Sequence, residues 1–369
     1  MSSLKSSGAS VTILAISAYN SNRKQQLIAD FKALDSEIIF SEFEASGLRS
    51  GLLDMLGRQL QMPEKLLTQL EKLTFNCVFS WWGLSTYSVT KTVHRYFSSV
   101  PVVSILGTYP NAYNQMSNHL ETILWKDYCR ILSGLIYYSD EMRHYHQKRI
   151  TQAQKIPSTV VIEPQPASIF YHQWDHGPEF ERIDDKPHVV FTGTTRNLTS
   201  SQSNYRKDAV GAFLKGLSEQ KIHVYLQPGA LEENDYLHYL PKNLSIQNGQ
   251  LSNYLSNFDA HLVIYNEFNT IISTRVRCGL GTRYAFGQTF PVPMMVSEKA
   301  SFARKEFQTY SIGSFFRDMN DLKYQLSDAK ALADKKLAFK GCIEELTFEN
   351  RYQIQLSDFM RQIKTLTSR

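Results

Sequence analysis

The feature that most constrains this chain is a rhythm. Short apolar runs rich in β-branched residues alternate with longer stretches whose apolar residues recur at helical spacing. "SVTILAIS" precedes the helix-patterned "NRKQQLIADFKAL", and "EIIFSEFE", "FNCVFSWWG", "VPVVSILG" and "GLIYYS" follow with helix-compatible sequence between them. A strand that is apolar throughout, instead of at every second residue, is one buried on both faces. Strands of that kind separated by helices predict a parallel sheet with helices on both sides.

The rhythm then breaks and restarts. After the helix "DEMRHYHQKRITQAQK" and the short strand "PSTVVIEPQPASIF", the segment "YHQWDHGPEFERIDDKPH" is polar, carries proline and glycine, and has no sustained period. A second series follows it: "HVVFTGTT", the helix "YRKDAVGAFLKGLSEQ", "IHVYLQPG", "LSIQNGQ", the helix "LSNYLSNF" and "AHLVIYNEF". A chain of 369 residues exceeds what one core usually serves, and 42% apolar residues suffice to fill two. The expected organisation is a first domain over 1–172, a linker over 173–187, a second domain over 188–345, and a closing amphipathic helix over 346–369 that could pack back on the first domain.

Charge and cysteine usage narrow the function classes. The net charge of +5 is spread along the chain, which favours small anions or an anionic surface and requires no nucleic acid. Cys77, Cys129, Cys278 and Cys342 stand far apart with no CxxC pair, so neither a zinc module nor a disulfide scaffold is expected, and a cytoplasmic location fits best. The run "VTILAIS" is too short for a membrane span or a signal segment. His172, Asp175 and His176 have a metal-like spacing, but the surrounding glycine and proline spoil the helix that would present them, so no metal is expected. The basic residues Arg143, Lys148, Arg149 and Lys155 on one helix suit either an anionic membrane face or plain solvent.

Two stretches carry the candidate chemistry. In "GLGTRYAFGQTFPVPMMV", Gly279 and Gly281 allow close backbone approach to a phosphate, Thr282 and Arg283 open a short helix whose dipole favours an anion, and "FPVPMMV" reads as the next buried strand with its prolines at the start. The same pattern also suits a glycine-relieved loop with a surface arginine. Glu267, just past the strand "AHLVIY", stands where an acid commonly holds ribose hydroxyls. In "HVVFTGTTR", Gly193, Thr194, Thr195 and Arg196 form a loop that, with Arg206 and Lys207, suits a diphosphate or serves as an ordinary polar loop. Trp81 and Trp82, with Tyr87, Tyr109 and Tyr113, are candidates either for sugar stacking or for the core. The chain lacks a DxD triplet, a phosphate-binding P-loop and a GxSxG elbow, and its late glycines break the dinucleotide fingerprint.

In its order of elements, "VVFTGTTR", "VYLQPG", "IQNGQLSNYLSNFDAHLVIY" and "TRYAFGQTFPVPMMVSE" together resemble the donor domain of GT-B glycosyltransferases of the group-1, GT4-like family. "GLIYYSDEMRHYHQK" and "TFENRYQIQLSDFMRQI" are similar to that family's last first-domain strand and helix and to its closing helix. The resemblance implies two Rossmann-like parallel-sheet domains facing a cleft, and transfer of a sugar from a nucleoside diphosphate sugar to a glycan, lipid-linked or protein acceptor, as in polysaccharide biosynthesis. It implies no cofactor and no metal. Gly193, Thr194, Arg196 and Lys207 would hold the diphosphate, the backbone of Gln250 and Leu251 the base, and Glu267 the ribose, with Gly281, Thr282 and Arg283 at a phosphate-facing helix start. Arg275 stands where the family often has a second glutamate and is counted with the donor residues. Trp81, Trp82 and Tyr109 would line the acceptor side, and no catalytic residue is assigned. An epimerase on the same architecture, or a catalytically silent protein that binds a glycan or stabilises a partner, would share most of these features.

Overall fold

The computed structural model describes Ile13–Ser17, Glu37–Phe40 and residues 64–367 apart from 73, 74, 82, 108, 111–114, 152, 154, 164, 166–179, 194, 196, 197, 199–206, 243, 245–248, 266–269, 279–281, 301 and 302. The helix expected in "NRKQQLIADFKAL" lies outside the described residues. The chain divides into two compact units, Met1–Glu163 with Tyr352–Arg369, and Pro164–Arg351.

In the first unit the order is β1 (Ile13–Ser17), β2 (Glu37–Phe40), α1 (Glu64–Glu71), β3 (Cys77–Trp81), a 3₁₀ turn at Gly83–Thr86, α2 (Tyr87–Tyr96), β4 (Val102–Leu106), α3 (Gln115–Tyr128), β5 (Gly134–Tyr137), α4 (Asp140–Ile150) and β6 (Ser158–Val161). The strands form one parallel sheet in the order β2-β1-β3-β4-β5-β6. β4 reads "VVSIL" and is buried at every position, as a strand covered on both faces must be. α4 starts where its sequence dictates: Ser139 caps it by accepting the Met142 N–H at 3.0 Å, and Asp140 and Glu141 sit in the first turn, against the helix dipole.

The second unit holds β7 (His188–Phe191), α5 (Lys207–Glu219), β8 (His223–Leu226), β9 (Leu237–Tyr239), α6 (Gln250–Leu255), β10 (Ala260–Val263), α7 (Thr270–Cys278), α8 (Thr282–Gly287), β11 (Met294–Ser297), α9 (Arg304–Tyr310), β12 (Gly313–Phe316), α10 (Met319–Ser327) and α11 (Ala329–Cys342). Its parallel sheet runs β12-β11-β10-β7-β8-β9. Successive residues of β7 feed opposite faces: Val189 and Phe191 pack with Leu214 and Leu217 of α5 and Leu322 of α10, whereas Val190 packs with Leu251, Leu255 and Phe290. A third cluster joins Val263, Met294 and Val296 to Phe307 and Phe339.

Two expectations are adjusted here. The polar segment expected to link the domains is fastened to the second unit from Phe180 onward. Phe180 packs against Phe258 at 4.7 Å between centroids, and Arg182 grips Asp259 through two hydrogen bonds of 3.1 and 2.9 Å. The stretch between Glu267 and Gly279, to which the sequence pattern assigns no element, contains the helix α7.

The last helix, α12 (Phe348–Thr367), carries the chain back to the first unit, to which Tyr352–Arg369 belongs. Gly134 makes room for it: a Cβ there would lie 2.6 Å from the Phe359 ring and 2.9 Å from Ile363. Among the described residues no helix is long and apolar enough to cross a membrane. Phe359 is only 4% exposed, and its replacement in Phe359→Ala is expected to cost about 3–5 kcal/mol. Urea denaturation measures this, and a loss below about 1 kcal/mol would show that the closing helix does not hold the sheet.

Candidate functional site

The order of the second sheet locates a site before any side chain is considered. From β7 the chain builds outward through β8 and β9, then returns to place β10 on the other side of β7 and continues to β12. Adjacent connections on opposite sides of β7 leave a crevice beyond the carboxyl ends of β7 and β10, the position at which open α/β sheets bind ligands. A helix that follows a parallel strand begins at that same edge, so α5, α6 and α7 all aim their amino termini toward it.

The described residues at this edge are tightly held. Thr192, just past β7, shares a 2.8 Å hydrogen bond with Nε2 of His261 in β10, across the strand pair where the topology reverses. Gly193 is buried. Thr195 is buried and donates its hydroxyl to the Pro228 carbonyl at 3.0 Å, while the Ala230 and Leu198 N–H groups both reach the Thr195 carbonyl at 3.4 Å. Two glycines clamp this loop from either side. A Cβ on Gly211 of α5 would stand 2.3 Å from the Leu198 carbonyl oxygen, and one on Gly229 would stand 2.4 Å from Thr195 Oγ1. Neither glycine, nor Thr192 or His261, was singled out by sequence reasoning. The glycine of "QPG" and a lone histidine inside the apolar "AHLVIY" were the available signals.

The expected donor residues fall as follows. Thr194, Arg196, Glu267 and Gly281 lie outside the described residues. Lys207 is the first residue of α5, so its backbone stands at the carboxyl edge of the sheet, and Thr282 and Arg283 are the first two residues of α8, which follows α7. Gln250 opens α6 after Gly249, which takes the left-handed conformation at φ 77°, a value that favours glycine. The Leu251 side chain is core, packed with Tyr254, Leu255 and Phe290, so only its backbone could meet a ligand. Arg275 is buried within α7.

On the first unit, Trp81 ends β3, and Trp82 and Tyr113 lie outside the described residues. Tyr109 is a correction. Its side chain is fully buried, edge-on to Trp125 at 6.3 Å and to His146 at 4.7 Å, so it is core and presents no stacking face to a sugar. Tyr87 is likewise buried, against Tyr128. His146 shares a 2.8 Å hydrogen bond between Nδ1 and the Tyr137 hydroxyl, and burial, aided by the nearby Arg149 charge, pushes its pKa down to about 3. The basic face of α4 is partly spent on the protein itself. Arg149 turns inward to the Asn118 carbonyl at 2.6 Å and to the Thr122 hydroxyl, and Arg143 pairs with Asp140 at 2.5 Å. His172, Asp175 and His176 lie outside the described residues, and all four cysteines are free and buried.

No protein-family model matches the sequence, and no curated protein sequence does. The fold is nevertheless shared with solved structures along nearly the whole chain. A sucrose-phosphate synthase from Thermosynechococcus elongatus superposes at a TM-score of 0.56 with 10% identity, over 96% of this chain and 100% of that one. A trehalose-6-phosphate synthase, OtsA, does so at 0.58 with 11% identity, over 95% and 99%. A trehalose-6-phosphate protein from E. coli bound with UDP-2-fluoro glucose does so at 0.56 with 11% identity, over 96% and 99%. These likenesses identify the fold: the two Rossmann-like, all-parallel units are those of the GT-B glycosyltransferase architecture.

Two expected outcomes test the geometry. Gly211→Ala drives a methyl group into a backbone carbonyl that cannot rotate away, and is expected to cost about 1–3 kcal/mol in a urea melt. Gly341→Ala, where nothing lies within 4 Å, is the control and should be neutral or stabilising by up to about 1 kcal/mol. His146 is held neutral in the fold at a pKa of about 3, while in the unfolded chain it titrates near about 6.5. Between those values only the unfolded state takes up the proton, so stability falls as pH drops through that window. His146→Asn, which keeps a polar atom near Tyr137, should flatten the urea-midpoint profile between about pH 6.5 and pH 4, and an unchanged slope would contradict the assignment.

Proposed function

We propose that the chain is a glycosyltransferase that moves a sugar from a nucleoside diphosphate sugar to a hydroxyl-bearing acceptor, a glycan, a lipid-linked sugar or a protein. The observation that carries this reading is the convergence of Gly193, the glycine-clamped loop after β7 and the starts of α5, α6 and α7 at one topological reversal of a GT-B unit. In the reaction the bond between the anomeric carbon and the diphosphate oxygen breaks, a bond to the acceptor oxygen forms, and the acceptor proton leaves with a base or with the departing phosphate. The demand on the protein is to stabilise negative charge growing on the diphosphate. Arg196 and Lys207, with the amides at the helix starts, are proposed to supply that stabilisation, and Glu267 to hold the ribose. No divalent ion enters this chemistry. The fold relative bound with UDP-2-fluoro glucose makes a uridine donor the first to test.

A second reading draws on Arg275. A buried cation stands where the resembled family often has an acid, which suits a protein that keeps the architecture without the turnover.

Calorimetry and thermal shift with UDP, GDP, ADP and CMP decide the first step. One nucleotide should bind with a dissociation constant on the order of micromolar, about 8 kcal/mol, and Arg196→Ala should weaken it by about 1.5–3 kcal/mol, the worth of a charge-assisted hydrogen bond. If no nucleotide binds, the donor site is misassigned. If one binds but its sugar conjugate is neither hydrolysed nor transferred, the silent reading replaces the enzymatic one.

A further inference from the structure

The opposite edge of the second sheet carries a cluster that the sugar chemistry does not use. We propose that Asp184, His188 and His223 form a binding site for one zinc-like transition-metal ion at the amino-terminal edge of β7 and β8. His188 and His223 are the first residues of their strands and are register partners in the parallel pair, which sets their rings side by side, stacked at 4.4 Å and 13°. Asp184, in the segment leading into β7, places Oδ1 at 3.1 Å from His223 Nε2 and 3.9 Å from His188 Nε2. The three ligand atoms all lie within 4.8 Å of one another, the one such grouping among the described residues.

The outward ring nitrogens are already secured. His188 Nδ1 meets the Tyr225 hydroxyl at 3.2 Å, and His223 Nδ1 meets His238 Nε2 at 2.8 Å. Metal-binding imidazoles are typically held this way, one nitrogen fixed by a neighbour and the other turned to the ion, and here His188 Nε2 would exchange its 3.3 Å contact with the Asp184 backbone carbonyl for the ion. Both rings are buried away from water beside the Asp184 carboxylate, which also accepts the Lys186 backbone N–H at 2.8 Å and pairs with the Lys186 ammonium at 3.1 Å. Two nitrogens and a carboxylate oxygen are a zinc-type donor set, and around a tetrahedral ion such atoms sit roughly 3.3–3.4 Å apart. Reaching that spacing takes a modest contraction and a splaying of the two stacked rings so that their lone pairs converge. The ion would tie the segment ahead of β7 to the first residues of two strands. No step of the sugar transfer passes through it.

The test uses the full chain without a histidine tag, stripped with a chelator and titrated with Zn²⁺ by calorimetry and thermal melting, with Co²⁺ as a spectroscopic probe. Wild type should take up one equivalent of Zn²⁺ saturably, melt higher when loaded, and give the intense visible absorption of tetrahedral Co²⁺. Asp184→Asn and His223→Gln should each weaken binding by about tenfold or more, and His238→Gln, which touches only a ligand's far side, by about tenfold. Asp184 is one-third exposed, so its variant decides the matter even if the buried His223 variant fails to fold. No saturable uptake by wild type overturns the proposal, as does uptake that Asp184→Asn leaves unchanged, which would place the ion elsewhere, such as His172 and His176.

Discussion

Everything in this molecule follows from strands that must be covered on both faces. β7 is buried from end to end, with Val189 and Phe191 on one side and Val190 on the other, and such a strand cannot turn back beside itself in a hairpin and stay parallel. The chain has to cross a face of the sheet as a helix and re-enter at the same end. Repeated along the sheet, that necessity collects helix amino termini at one edge and helix carboxyl termini at the other. Anion-binding chemistry therefore has a preferred edge before any charged residue is chosen. The reversal at β7 then selects one place along that edge.

Close backbone packing holds part of the chain at this place. The loop after β7 is gripped between Gly211 and Gly229, each so near that a single added carbon would collide with Leu198 or Thr195. These contacts hold Thr195 and Leu198 by close packing as well as by hydrogen bonds. A loop set in advance loses less entropy on meeting a ligand, and preorganised donors give more stabilisation to a developing charge than donors that must first be gathered.

The parts of the fold that were legible in the sequence are those governed by local pattern. "VPVVSILG", "GLIYYS", "HVVFTGTT", "IHVYLQPG" and "AHLVIYNEF" announce β4, β5, β7, β8 and β10, because double-sided burial leaves an apolar run that no loop would carry. "FPVPMMV" gives β11 for the same reason, although the strand begins only at Met294, after Pro291 and Pro293, whose missing N–H groups then cost no ladder bond. β9 was not legible. Its "LHY" is three residues long and sits at the sheet edge, so the polar residues around it read as loop. α7 was missed because "TIISTRVRC" opens with β-branched residues, whose low helix propensity is overridden by packing in the fold. Of the candidate site, Gly193 and Thr195 after β7 were named from the sequence, whereas Gly211 and Gly229, which pack against that loop, were not, because their closeness is set by the fold. The burial of Tyr109 was not, since an aromatic at a strand end looks the same in sequence whether its ring faces solvent or Trp125.

The histidines at the other edge are the hardest residues to account for by packing alone. His188 is fully buried, His223 nearly so, and both are neighbours of apolar strand residues that valine or leucine would extend at no desolvation cost. Burying a polar ring is tolerated only when its nitrogens are satisfied, and here the satisfaction runs through a chain of partners: Tyr225, Asp184, His223 and His238. Such a network is at best neutral against a well-packed apolar alternative, because each hydrogen bond mainly restores what was lost on leaving water. Nor is the ladder needed to define the strand register, which Val189 with Val224 and Phe191 with Leu226 already fix through the core. A cost that packing does not recover, borne by imidazoles beside one carboxylate, would be recovered by the proposed ion, since the same desolvation that penalises the free rings strengthens their bond to a cation.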